Sequence, residues 1–162
     1  MKKLLSRFSP ALATALLGAV FCSCRCPMKE EPAAAPAAAV SGAEPSPKSE
    51  WTVTASAVQE DIFPAAYACD GKTDTRWSSP ASDPQWLQID LGKPATVCGL
   101  SILWESAFAS EYSVLTSLDG AKWEEACSTK SGDGQTDDIY FQPVSARFLK
   151  ILCLKRGTGW GD

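Results

Sequence analysis

The chain has 162 residues, room for one ordinary domain with a remainder. Its 15 Lys and Arg against 19 Asp and Glu give a net charge of −4, with no basic excess to serve nucleic acid. It has no histidine, which removes the commonest general base and the commonest imidazole metal ligand together.

In chain order, Lys2, Lys3 and Arg7 form a basic stretch ahead of an apolar run from Ala11 to Phe21. That run of about eleven residues falls short of the roughly 20 that a bilayer span needs, so it reads as the core of an export signal. Cys22, Cys24 and Cys26 follow. Cys24, preceded by the small Ser23, fits the lipidated cysteine of a bacterial lipoprotein, with ordinary cleavage nearby as the alternative. The signal is placed over residues 1–26, which makes the protein exported, either secreted or lipid-anchored at the periplasm or cell surface. Residues 27–50 are mostly Ala, Pro, Glu, Ser and Lys. Such a stretch buries too little apolar surface to offset the entropy of ordering, and its prolines favour an extended tether.

At Trp51 the composition changes, and all six tryptophans lie from there on. Leu87, Ile89 and Leu91 alternate with polar residues and end at Gly92-Lys93-Pro94, a strand and its stop. Cys98, Leu100, Ile102 and Trp104 share the next face. Tyr112 to Ser117 predicts a further strand closed by Asp119-Gly120. Ile139 and Phe141 mark a short strand, and Arg147 to Leu154 a long apolar one. No stretch holds a helical period, so residues 51–162 form an all-β sandwich or barrel.

Within this domain the words Asp70-Gly71-Lys72-Thr73-Asp74-Thr75-Arg76-Trp77, Gln85-Trp86-Leu87-Gln88-Ile89-Asp90-Leu91-Gly92, Leu103-Trp104-Glu105, Ala146-Arg147-Phe148 and Gly157-Thr158-Gly159-Trp160-Gly161 occur in one order. In that order they resemble the discoidin, or coagulation-factor type C, family, whose bacterial members include sugar-binding modules of carbohydrate-binding family 32. The resemblance covers nearly all of the domain and implies a jelly-roll β-sandwich. It also implies a final strand after Gly161 that this chain, ending at Asp162, does not carry, which leaves one sheet edge unpaired.

The resemblance implies glycan binding at one end of the sandwich, with Arg76 and Glu105 as polar contacts and Gln59 or Glu60 from the first loop. Arg156, Thr158 and Trp160 come from the last loop. A chitosan- or glucan-like chain is the implied ligand, and Glu60 with Glu105 would favour a protonated amino sugar. Ala81 stands where relatives carry an aromatic, and Phe108 is the nearest substitute. Arg76 could instead pair with Asp74 or Asp83, and Glu105 could be solvated. The resemblance further implies a structural Ca²⁺ held by Tyr67, Asp70, Lys72 and Thr75, hard oxygen donors of the right kind; the alternative is a hydrogen-bonded turn. Lys72 offers only its carbonyl.

Trp77, Trp86, Trp104 and Trp123 are expected in the core. Cys69, Cys98, Cys127 and Cys153 are expected as small buried hydrophobes, Cys98–Cys153 being the disulfide to test. Without histidine or a nucleophile–base arrangement the domain is read as non-catalytic and monomeric; a carboxylate pair of Glu105 with Asp83 or Glu60 is the enzymatic alternative. Two others are a surface domain binding protein or lipid headgroups, with Ile62-Phe63 as the apolar spike, and a remnant of a longer glycan-active enzyme.

Overall fold

The computed structural model describes residues 43–162 and the backbone of residues 3–5; the rest of the expected signal and tether lies outside the described residues. Six antiparallel strands make one continuous sheet: β1 (Lys3–Leu5), β2 (Thr52–Ala55), β3 (Gln85–Leu103), β4 (Ala109–Ser117), β5 (Glu124–Thr129) and β6 (Thr136–Arg156). The order is β1-β3-β6-β4-β5, with β2 beside the first half of β3.

Two long strands make this sheet a sandwich. β3 and β6 pair along both their arms, but the register lapses between Asp90 and Ala95, where Gly92 takes φ 81°. Only glycine adopts that conformation cheaply, so Gly92-Lys93-Pro94 is a corner at which the ribbon turns over. Asp90 and Arg147 brace it with two bonds, Nε–Oδ1 at 2.9 Å and Nη2–Oδ2 at 2.8 Å. Their hydrogen bond is the main force lowering the Asp90 pKa. Leu87, Ile89, Leu149 and Ile151 of one arm then meet Val97, Leu100 and Ile102 of the other in a single core.

The alternation expected through Cys98 fails for a local reason. A bulge between Val97 and Gly99 shifts the parity, so Val97 enters the core and Cys98 stays half-buried. Two tryptophans also lie elsewhere than expected. Trp77 and Trp104 are buried, whereas Trp86 and Trp123 are half-buried on either side of Lys150, whose ammonium stands 5.3 and 3.8 Å from their ring centroids. Burial lowers the Lys150 pKa, and the indole faces offset part of that cost. Cys98 and Cys153 are both thiols, and no bridge joins them. Cys153 lies opposite Gln85 and Tyr112, on the other arm from Cys98.

Lys3–Leu5 pairs with Ser101–Leu103 at the end of β3. The end of the expected tether packs on the corner. Ala43 O accepts from Thr96 N at 2.9 Å, Ser46 is buried beside Gly92, and Trp51 Nε1 donates to Ser46 O at 2.8 Å. Residues 43–51 therefore reach the sandwich at the Gly92–Thr96 end.

Candidate functional site

At the opposite end, where β3 starts and stops, the loops enclose a cavity of about 350 Å³. Gln59, Arg76, Ser78, Glu105, Ser106, Ala107, Trp160 and Gly161 line it. Four residues expected from the sequence, Gln59, Arg76, Glu105 and Trp160, are thus brought together from separate loops.

Each is held by something specific. Trp77 anchors the Arg76 segment, being fully buried with Nε1 donating to Ala57 O at 3.0 Å. Arg76 lies flat on Phe63, its guanidinium carbon 4.1 Å from the ring centroid, which fixes the plane of its donors. Asp83 pairs instead with Arg156, Nε to Oδ1 at 3.0 Å. Gln59 Oε1 accepts from the Ser78 hydroxyl at 2.8 Å, leaving its amide donors for the cavity. Glu105 Oε2 accepts from Ser106 N at 2.8 Å, so the carboxylate is fixed at the head of its loop. Trp160 is 70% exposed, the aromatic surface that Ala81 cannot supply.

The remaining expected contacts shape the loop rather than line the cavity. Arg156 Nη1 donates to the carbonyls of Gly159 at 3.5 Å and Trp160 at 3.4 Å, and Thr158 Oγ1 accepts from Trp160 N at 3.2 Å. Glu60 is exposed, and its carbonyl accepts from Phe63 N at 2.9 Å. Phe108 is no substitute for an aromatic at Ala81. Its ring fills the space over Gly134 and Gly157, where added Cβ atoms would lie 2.4 and 2.0 Å from it. Phe63 and Ser78 escaped sequence reasoning. Ile62 and Phe63 do not form a joint apolar spike: Phe63 lies under Arg76, and Ile62 alone is widely exposed, at 64%.

The Asp70 loop is tightly wound on its own carboxylate. Oδ1 accepts from Lys72 N at 2.8 Å and Oδ2 from the Thr75 hydroxyl at 2.6 Å. The donors are all hard oxygens, which suits Ca²⁺, although no group of three acidic or thiol side chains clusters among the described residues.

The F5/8 type C domain family model matches residues 52–162. The chain belongs to that family. Two solved relatives fit this F5/8 type C domain closely. They are chitosan-binding modules 1 and 2 of a chitosanase/glucanase from Paenibacillus sp. IK-5. Module 1 is 38% identical with a TM-score of 0.66, over 68% of this chain and 86% of that one. Module 2, in complex with chitotriose, is 32% identical at the same TM-score, over 68% and 88%. Among curated proteins, the polysaccharide lyase 8 family protein HylA of Enterococcus faecalis is 34% identical over 96 residues, 57% of this chain. The chain spans only 7% of that protein's length.

Proposed function

We propose that this F5/8 type C domain binds a glycan chain in the Arg76–Glu105–Trp160 cavity, without cleaving it. The observation that carries the reading is the cavity's composition. An exposed indole suits stacking on a pyranose ring, and a guanidinium, an amide and a carboxylate around it match sugar hydroxyls and amines. Such fixed polar groups discriminate, because a sugar lacking the matching hydroxyl leaves them unpaired. Among the lining residues Glu105 is the one carboxylate, and Asp83 is engaged by Arg156, which supports binding over acid–base hydrolysis.

The ligand class is an amino-sugar chain of the chitosan type. Support comes from Glu105, whose carboxylate offers a charge-assisted bond to a protonated amine, and from the two chitosan-binding relatives. The module is exported and tethered, by lipid if Cys24 is processed as a lipoprotein cysteine. In a chain processed at Cys24, the approach of residues 43–51 at the Gly92–Thr96 end supports this, since it leaves the cavity facing away from the attachment point. Its role is then capture of polysaccharide at a surface.

Glucosamine oligomers are expected to raise the melting temperature, because a ligand of the folded state stabilises it by mass action, about 2.7 kcal/mol at a hundred times Kd. Neutral glucan oligomers should raise it less, and Glu105→Gln should erase the difference. An unmoved melt across both sugar classes would overturn the reading.

The Asp70 loop is the proposed seat of a structural Ca²⁺, held by the Asp70 carboxylate, the Thr75 hydroxyl and the carbonyls of Tyr67, Lys72 and Thr75. Calcium is expected to raise the melting temperature of the wild type and to leave Asp70→Ala unaffected. A wild-type melt that ignores both calcium and chelator would assign the loop to turn formation alone.

A further inference from the structure

We infer that Asp137 is a positioning residue for the cavity, setting the place of its Glu105–Ala107 wall through Trp104 and Tyr112. The inference rests on the glycan-site reading for its consequence, though its geometry stands independently.

Asp137 lies at the start of β6. Its Oδ2 accepts from Trp104 Nε1 at 2.7 Å and from the Tyr112 hydroxyl at 2.6 Å. Both rings are 3% exposed, with centroids 5.5 Å apart. Burial, and secondarily the bond to Asp137, pushes the Tyr112 pKa far up, so the phenol stays a proton donor. Trp104 N also donates to Gln135 O at 3.1 Å. One carboxylate therefore ties the end of β3, the strand β4 and the start of β6 at the point where β3 gives way to the wall.

The other end of the wall is fixed too. Phe108 fills the space over Gly134 and Gly157, and its carbonyl accepts from Gly157 N at 2.7 Å. Glu105, Ser106 and Ala107 form a bridge between the Trp104 anchor and the Phe108 anchor. A bridge that short inherits its position from its ends, so loosening Trp104 displaces Glu105 although Asp137 is not among the cavity's lining residues. Sites of this kind depend on side chains locked by a supporting layer of bonds.

The test uses the full chain with Asp137→Ala, Asp137→Asn, Glu105→Ala and the Asp137→Ala/Glu105→Ala pair. Two quantities are measured: amide exchange at Ser106, whose N–H bonds Glu105, and affinity for a glucosamine oligomer. Asp137→Ala should speed Ser106 exchange and weaken binding about tenfold. Asp137→Asn, which keeps an acceptor oxygen, should recover most of both. In the Glu105→Ala background the second change should cost little, because its effect runs through Glu105. Should Asp137→Ala lose its cooperative melt, Tyr112→Phe takes its place, with faster Ser106 exchange expected. Unchanged Ser106 exchange, or a binding loss fully additive with Glu105→Ala, overturns the inference. If the wild type binds no glycan, the functional reading fails and Ser106 exchange alone decides the positioning role.

Discussion

Arg76→Ala is expected to remove most of the glycan affinity while leaving the melt of the free protein close to wild type. Hydrogen bonds from a charged group contribute about 1.5–3 kcal/mol each, so losing one or two costs roughly ten- to a hundredfold in Kd or more. The stability cost is small because none of the ion pairs among the described residues involves Arg76. Its guanidinium rests on the Phe63 ring, a contact of about 0.5–1 kcal/mol at a partly exposed site. Arg76→Lys should fail to restore binding, because an ammonium neither lies flat on the ring nor presents a planar fork of donors. Phe63→Ala should weaken binding by a smaller factor, by freeing a guanidinium that is still present. Calorimetric titration with glucosamine oligomers checks all three, and Arg76→Ala binding as tightly as wild type would move the site elsewhere on the domain.

The parts of this site legible in the sequence were those carried by contiguous words. Arg76 beside Trp77, Glu105 beside Trp104 and Trp160 within a glycine-rich loop each sit next to a recognisable marker, and the fold brings them to one end of the sandwich. Phe63 and Asp137 were not legible, because their roles consist of contacts across the chain. The Asp137–Trp104 bond spans 33 positions and the stack of Arg76 on Phe63 depends on the path of an irregular loop. The strands show the same division. Period-2 alternation located Leu87, Ile89 and Leu91 in the core, because one buried face is enough to set it, whereas Arg147 to Leu154 is apolar on both sides and only the fold shows that Leu149, Ile151 and Cys153 are the buried ones. It misplaced Cys98, since a bulge changes parity without changing composition. It also split Thr136–Arg156 into two strands. The ladder continues past Pro143, which lies beside the Val97–Gly99 bulge, and β6 turns with β3 from one arm to the other only at Arg147, between Ala146 and Phe148.

Asp162→Asn should stabilise the folded chain above about pH 6, the value to which the Asp162 pKa is raised. Asp162 is fully buried, and among the described residues neither of its carboxylate oxygens has a hydrogen-bond partner. Its main chain is nonetheless fixed: N donates to Ser79 Oγ at 2.8 Å, and O accepts from Ser79 N at 3.1 Å. Desolvation raises the pKa from 3.8 to about 6, repulsion from Asp83 adds to it, and Arg156 partly opposes the rise. A folded-state value above the unfolded one means that the native chain holds this proton more tightly. The associated stability is full below about pH 4 and is lost as pH rises through about 6. Two pH units at ~1.4 kcal/mol each amount to about 3 kcal/mol. With no histidine in the chain, no imidazole titrates across that window to obscure the effect. Asp90 and Asp119, whose pKa values are lowered, act in the opposite sense, weakening the fold only as pH falls below the ordinary carboxylate range. Melting temperature against pH should therefore fall for wild type between about pH 4 and 6, a slope that Asp162→Asn flattens, leaving the variant several degrees higher at neutral pH. Parallel curves for the two proteins would show that the carboxylate finds a partner or solvent in solution, and that this end of the cavity is more open than its packing against Ser79 implies.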